Sequence, residues 1–376
     1  MAEREHDDDS GGLQIDRRRA LIAAAVALLL AGGAFAAIGQ AAHFDRLTRA
    51  VGRAHKPWLA VCVAGQLVSY VGYMLAYRDA ARATGGPRFD LPTVARLVIF
   101  GRGASVLGAS VGGLAVDYWA LRRTGTHAHT AARRVLALGT IEWTVLSLYA
   151  CTAAALVLIT GAQAPVAMAV CWLAVVPACV LGALWFTSAR RVKRFTDPPP
   201  HCERQSGDGR LRDAVRGARD HLRAGLGDAI AGVLLVRHLL SHPVRYNGAA
   251  IGYPIYWAGD ILTLYAALRC FGAQPPLIPL ILAYATSYVI TALPLPAGGA
   301  GGIEAGMSLA LHAVGVALAP ALLGAFLYRV VTFWLPIVPA LGLLPSVGRL
   351  QDRLPRIPHT RPDSDERIPF RDPQEA

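Results

Sequence analysis

Arg329 is an ionisable residue deep inside a long apolar stretch, residues 317–347. A charged group at the centre of a lipid bilayer costs about 2.5–3.5 kcal/mol on insertion scales, so such residues usually have a function. Arg329 stands 329 − 317 = 12 positions from the start of the stretch, or roughly 18 Å along a helix that rises about 1.5 Å per residue. At that depth the side chain cannot easily reach water. We therefore expect it to bind a carboxylate, a backbone carbonyl or a ligand phosphate.

Glu142 is an acidic counterpart of Arg329, because both residues follow a Gly-Gly pair at nearly the same distance. The spacings are 142 − 113 = 29 from Gly113 and 329 − 302 = 27 from Gly302. If the two halves of the chain share one plan, this spacing places an acid and a base on opposed helices. The alternative is a buried ion pair that only fixes the packing of the helices.

Three further acids, Asp260, Asp117 and Glu304, also fall in apolar surroundings. Asp260 stands near the middle of stretch 246–271, where it either lines a cavity or forms hydrogen bonds between helices. Asp117 and Glu304 each follow a Gly-Gly pair closely. An acid in the first turn of a helix is favoured by the helix dipole by about 0.3–1 kcal/mol. Glu304 is therefore either such a structural acid or a proton-labile acid that lines a cavity.

The composition of the whole chain indicates a membrane protein. Its 376 residues are 54% hydrophobic and 16% charged, whereas soluble domains carry roughly 25% charged residues. This excludes a disordered chain and argues against a soluble enzyme. A net charge of +12 would suggest nucleic-acid binding in a soluble protein. Here we place the basic residues in loops that face the cytoplasm and anionic lipid, and expect no nucleic-acid partner.

Spanning helices are predicted where about 20 consecutive residues are mostly apolar. Five stretches meet this condition and a sixth is long enough to tilt, namely 20–39, 57–77, 135–161, 164–187, 246–271 and 317–347. Basic residues mark the cytoplasmic side, which predicts cytoplasmic termini and cytoplasmic segments at 17–19, 78–96, 122–134, 188–223 and after 348. This orientation places loop 40–56 on the outside, whereas its basic residues favour the cytoplasmic side.

Two other apolar stretches, 94–121 and 277–316, are interrupted by glycine or proline and are predicted to enter the membrane and return. Their breaks fall near 108–113 and 293–302. Because one hairpin would enter from each face, the two halves form the inverted repeat known from transporters. Irregular backbone at membrane depth must be buried in protein or reached by water. The hairpins therefore predict a central polar cavity, with surface loops at the breaks as the alternative.

The expected fold is an all-α, polytopic transmembrane helical bundle, in which two broken or re-entrant helical hairpins belong to an inverted repeat. A disordered polar N-terminus at 1–16 precedes a transmembrane domain at 17–348, which contains a cytoplasmic loop at 188–243. A disordered tail at 349–376 follows. A cleaved signal peptide is the alternative for the first span, because an arginine run precedes it.

The glycines at the second break have a chemistry of their own. Exposed amides at a helix N-terminus bind anions, so a lipid phosphate would fit beside the stretch Gly298, Gly299, Gly301 and Gly302. Glu304 would repel a bare anion there. This conflict predicts a zwitterionic or cationic headgroup, or a protonated Glu304. Gly112 and Gly113 are the corresponding glycines of the first half.

The sequence has no HExxH motif, no Walker A motif and no plausible GxSxG elbow. We therefore expect no catalytic residue, no cofactor and no metal ion.

The second half contains a motif that points to a family. A proline–glycine break runs into Gly301-Gly302-Ile303-Glu304, and a Gly-hydrophobic step at Gly315 and a buried Arg329 follow. This pattern resembles the lysylphosphatidylglycerol synthase transmembrane (flippase-like) family.

The first half resembles the N-terminal counterpart of that family through Gly112-Gly113, Asp117 and Arg133-Arg134. The likeness covers about residues 15–350. Two features depart from it: Leu-Pro-Ala-Gly-Gly stands where Pro-Gly-Gly is usual, and the first hairpin is rich in alanine.

The resemblance implies translocation of a lipid between leaflets, as in the membrane half of bifunctional aminoacyl-phosphatidylglycerol synthases. No segment outside the membrane is long enough for the soluble transferase half, so lysine transfer from tRNA is not expected. We expect a flippase-like, non-enzymatic transporter of a phospholipid or polyprenyl-linked lipid in the plasma membrane. Arg329 would contact phosphate, while Glu142, Asp260 and Glu304 set charge and gating.

Two other functions stay open at this point. One is a non-transporting membrane partner of a lipid-modifying or glycosyltransfer enzyme, and the other is an intramembrane lipid-modifying enzyme. Membrane lipids are the expected partners, and both a homo-oligomer and a membrane enzyme partner stay open.

Overall fold

The protein is helical throughout the part that the computed structural model describes, which is residues 54–108, 111–186, 246–292 and 299–343 with the isolated residues 29, 33, 52, 233, 234, 236, 350, 354 and 355. This part contains no β-strand, which confirms the predicted all-α fold. Its α-helices are α1 (Pro57–Arg82), α2 (Leu91–Gly108), α3 (Val111–Arg123), α4 (Ala128–Thr160), α5 (Val166–Phe186), α6 (Asn247–Cys270), α7 (Leu277–Tyr288), α8 (Gly302–Ala313), α9 (Leu318–Arg329) and α10 (Ile337–Leu343).

Several helices are suited to cross a membrane. Four are long and apolar enough, at Pro57–Arg82, Ala128–Thr160, Val166–Trp185 and Leu318–Ala340. The last of these joins α9 to α10 through a π-helical turn at Val330–Trp334. These four confirm predicted spans, while the span predicted at 20–39 lies outside the described part of the chain.

Helix α6 matches the span predicted at 246–271 in length but is not among the four helices that are long and apolar enough to cross a membrane. Of its 24 residues, 14 are buried. A helix enclosed by protein can carry polar side chains that lipid would exclude. Helix α5 is the opposite case, because most of its apolar residues are exposed, including Val166, Leu181 and Trp185. A continuous apolar surface of this kind suits lipid and would be unfavourable in water.

Helices α1 and α6 run antiparallel and form the most extensive helix–helix interface among the described helices. At one end the His55 amide donates to the Cys270 carbonyl over 2.8 Å. At the other end the Asp79 carboxylate accepts from the Ala249 amide over 3.2 Å and so caps the first turn of α6. These helices are corresponding spans of the two predicted halves, and an inverted repeat requires corresponding spans to be antiparallel. The repeat itself stays a prediction.

Glycines allow this close approach. A Cβ atom at Gly72 would lie 2.5 Å from the Gly252 carbonyl oxygen, and one at Gly65 would lie 2.9 Å from the Gly259 carbonyl oxygen. Small residues at helix crossings let backbones approach within membranes, where lipid provides no hydrophobic driving force for association. The contact therefore depends on the absence of side chains at these positions.

The two interrupted stretches form helical hairpins. Helix α3 has 13 residues and α8 has 12, which correspond to about 20 and 18 Å. Both are shorter than the roughly 30 Å hydrocarbon core of a bilayer. The first hairpin, α2–α3, turns between Gly108 and Val111, where the sequence predicted its break. The second, α7–α8, turns between Ala292 and Gly299 through residues outside the described part.

One boundary differs from expectation. Arg133 and Arg134 were expected in a cytoplasmic loop at 122–134, but they lie in the second turn of α4, which begins at Ala128. Arginine is a good helix former, so the helix extends beyond its apolar section.

We expect Gly72→Ala to lower the thermal unfolding midpoint of the detergent-purified protein. The added methyl group meets backbone atoms of α6, and overpacking of this kind costs about 1–3 kcal/mol. Gly182→Ala in α5 is the control, because no atom lies within 4 Å of a Cβ at Gly182. Equal midpoints for the two variants would show that the α1–α6 contact does not depend on glycine.

Candidate functional site

A central cavity of about 370 Å³ lies between the two hairpins. Its walls come from α1 to α4 of the first half and from α7 to α9 of the second, with the turns that follow α7 and α9. Four charged side chains line it, namely Arg102, Asp117, Glu142 and Arg329. The structure thus brings together three of the predicted charged site residues and adds Arg102.

Arg329 is buried and forms an ion pair with Glu304. Its Nε atom donates to Glu304 Oε1 over 3.1 Å, and its guanidinium carbon lies 4.2 Å from the centre of the Phe333 ring. Phe333 belongs to the π-helical turn that starts directly after Arg329. The expected carboxylate partner therefore exists. It is Glu304 of the second hairpin, although the sequence spacing had set Glu142 opposite Arg329.

Glu304 is fully buried and also closes the start of its own helix. Its Oε2 atom accepts from the Gly301 amide over 2.7 Å. Gly301 has φ +84°, a conformation that glycine adopts at little cost. A first-turn carboxylate in this position satisfies an amide that the helix leaves unpaired. Glu304 therefore has the structural role that the sequence left open, and it does not line the cavity.

The glycines of the second break lie in different surroundings. Gly299 lines the cavity, Gly301 is buried and Gly302 is exposed, while Gly298 lies outside the described part. The Gly301 amide, predicted as part of an anion site, is already bound by the Glu304 carboxylate.

The glycines of the first hairpin also differ from each other. Gly113 lines the cavity. Gly112 is buried, and a Cβ atom there would lie 2.7 Å from the Ser105 amide nitrogen of α2. Gly112 thus lets α2 and α3 approach each other.

Asp117 and Glu142 contribute two carboxylates to the cavity wall. Asp117 Oδ2 accepts from the Tyr73 hydroxyl over 3.1 Å. Glu142 lines the cavity from α4, and its backbone carbonyl accepts from Trp257 Nε1 over 2.9 Å. Neither carboxylate forms an ion pair within the part of the chain that the structure describes.

Arg102 was missed as a site residue by sequence reasoning. It lines the cavity from α2, and its Nη2 atom donates to the Tyr256 hydroxyl over 3.1 Å. Its guanidinium carbon lies 5.6 to 5.9 Å from the ring centres of Tyr70, Tyr73 and Tyr256. Its depth in an apolar stretch was the sequence feature that could have identified it. Arg102 stands 102 − 91 = 11 positions after the start of α2, and Arg329 lies at almost the same distance from the start of its own stretch.

Asp260 does not line the cavity. It is buried in α6, and its Oδ2 atom accepts hydrogen bonds from the hydroxyls of Tyr284 and Tyr328. These tyrosines belong to α7 and α9, so Asp260 ties three helices together. Of the two alternatives given by the sequence, the hydrogen bond between helices describes this residue.

Among the described residues, no group of three His, Cys, Asp or Glu side chains is arranged to hold a metal ion.

Comparison with known protein families identifies the family of the chain. Residues 20–340 match the model of the family described as the lysylphosphatidylglycerol synthase TM region. The chain belongs to this family. The match includes both hairpins and every residue that lines the cavity. No curated protein matches the chain.

We expect Glu304→Gln and Arg329→Gln to lower the thermal unfolding midpoint strongly when made singly. Removal of one member of a buried ion pair costs about 3–5 kcal/mol, because the other charge stays buried without compensation. The double variant should lose much less than the sum of the two single effects.

A double-mutant cycle in detergent measures this coupling, with Glu142→Gln as the control. That variant makes the same chemical change at a cavity carboxylate outside any described ion pair, so we expect little loss of stability. Additive effects of the two Gln substitutions would contradict a stabilising Glu304–Arg329 interaction.

Proposed function

We propose that this membrane protein moves a lipid headgroup between the two leaflets through the central cavity. The proposed cargo is a phospholipid or a polyprenyl-linked lipid. The observation that carries the proposal is the convergence of four charged side chains, from both halves of the chain, on one cavity inside an apolar helical bundle. Charges are costly at membrane depth and usually mark a substrate pathway.

The size of the cavity supports a headgroup as its occupant. A volume of about 370 Å³ falls in the range of small-molecule sites, roughly 300–1,000 Å³. A polar headgroup fits such a space, whereas acyl chains can stay in the surrounding lipid. Membership of the lysylphosphatidylglycerol synthase TM family is in keeping with a lipid substrate.

The lining suits a headgroup that bears charges of both signs. Arg102 and Arg329 contribute two guanidinium groups, and Asp117 and Glu142 contribute two carboxylates. A phosphate and an amine of one headgroup can each meet a group of opposite charge. Transport of this kind requires no cofactor, and we propose a plasma-membrane location with both termini in the cytoplasm.

We expect the purified protein to speed the exchange of labelled lipid between the leaflets of liposomes. The measurement is the fraction of labelled headgroups that an impermeant quencher can reach over time. Gly139→Trp should abolish the exchange, because Gly139 lines the cavity and no atom lies within 4 Å of a Cβ there. The added ring can therefore fill the cavity without a backbone clash.

Gly182→Trp is the matched control, since Gly182 has the same open surroundings but belongs to α5, away from the cavity. It should transport like the unaltered protein. If the unaltered protein moves lipid no faster than empty vesicles do, transport fails as the function. The non-transporting partner of a lipid enzyme then becomes the better explanation.

We expect zwitterionic phosphatidylethanolamine to be moved several-fold faster than anionic phosphatidylglycerol. The two cavity carboxylates repel an excess of negative charge, and Coulomb interactions are strong where water is scarce. Asp117→Asn combined with Glu142→Gln should narrow the ratio of the two rates. A ratio that stays constant in this variant would argue against headgroup selection by these acids.

A further inference from the structure

We propose that Arg102, and not Arg329, binds the phosphate of the transported headgroup, and that Tyr70, Tyr73 and Tyr256 hold Arg102 ready for it. This inference rests on the proposed transport function and assigns the phosphate contact within the same cavity.

Within the described part of the chain, no carboxylate neutralises the charge of Arg102 by direct contact. Among the described residues it forms no ion pair. Its one hydrogen bond uses Nη2 and goes to the neutral hydroxyl of Tyr256. Arg102 is partly exposed to the cavity, so a ligand can reach the guanidinium group without displacing a bound anion.

Arg329 is in the opposite situation. Its Nε atom is bound to Glu304, which is fully buried, and its guanidinium group lies over the Phe333 ring. A phosphate at Arg329 would meet the negative charge of Glu304 at short range. The Glu304–Arg329 pair is therefore close to neutral for an incoming anion, and it serves mainly to join the second hairpin to α9.

The tyrosines around Arg102 explain how its charge is kept available. The faces of aromatic rings attract cations within about 6 Å, and all three ring centres lie within that distance. This attraction offsets part of the cost of burial but adds no negative ion. A guanidinium group that is already oriented can bind a phosphate through two parallel N–H donors.

The other charged groups of the cavity define which phosphates are accepted. Asp117 and Glu142 face the same space and act on Arg102 through Coulomb attraction, without direct pairing. Asp260, which accepts from the Tyr284 and Tyr328 hydroxyls, also attracts Arg102 through a Coulomb interaction. These acids oppose a bare anion, so the ligand is a phosphodiester headgroup that carries a positive group beside its phosphate.

Calorimetric titration of the full chain in detergent with dihexanoylphosphatidylethanolamine tests this assignment. Arg102→Gln should weaken binding at least about tenfold, because charge-assisted hydrogen bonds contribute about 1.5–3 kcal/mol. Arg102→Lys keeps the charge but not the planar donor pair, so it should bind with intermediate affinity. Both variants are checked for an unaltered thermal midpoint, and the Lys variant carries the test if the Gln variant does not fold.

Two comparisons make the result specific. Arg123→Gln makes the same change at an exposed arginine at the end of α3, outside the cavity, and should bind like the unaltered protein. The double variant Glu304→Gln/Arg329→Gln removes the buried pair as a unit and should weaken binding much less than Arg102→Gln. Equal binding by Arg102→Gln and the unaltered chain, or a larger loss in the double variant, would overturn the inference.

Inorganic phosphate distinguishes a lipid site from a site for a soluble anion. We expect it to compete at least about tenfold more weakly than the short-chain lipid. Competition of equal strength would overturn the assignment to a headgroup. The experiments also distinguish a failure of the transport function from a failure of the assignment of Arg102. Arg102-dependent binding without leaflet exchange contradicts only the transport function, whereas normal exchange by Arg102→Gln contradicts only the role of Arg102.

Discussion

The buried charge of Arg329 is the constraint around which the second half is organised. A guanidinium group in an apolar interior must have a partner, and here the partner is Glu304 of the second hairpin. Glu304 is placed by its own helix start, where Gly301 adopts a positive φ angle and donates its amide to the same carboxylate. One carboxylate thus fixes the helix start, the hairpin and α9 relative to each other.

The second constraint is a close contact between the two halves, which α1 and α6 form. Glycines on both helices bring the backbones together, and aromatic side chains pack beside this contact. Tyr73 and Tyr256 lie 5.7 Å apart between ring centres, and both also flank Arg102. The close crossing of α1 and α6 therefore also positions two of the tyrosines that surround Arg102.

The charged residues in and beside the cavity divide into two groups, one bound to neighbouring helices and one facing the cavity. Glu304, Arg329 and Asp260 bind partners on neighbouring helices, and these contacts stabilise the bundle. Arg102, Asp117 and Glu142 face the cavity without ion pairs in the described part of the chain. Because the charges of the second group are not used in such ion pairs, they can interact with a ligand. All three residues belong to the first half, so the proposed substrate contacts come mainly from that half.

The sequence by itself determined the helical membrane class, most of the spans and the position of the first break, because these follow from apolar length and from glycine and proline along the chain. It also determined that Arg329 needed a partner, since depth in an apolar stretch is a local property. Only the tertiary structure decided that the partner is Glu304, that Asp260 binds two tyrosines and that Arg102 enters the cavity. These outcomes depend on how each helix is rotated about its axis and on which backbones approach closely, and linear spacing does not specify either.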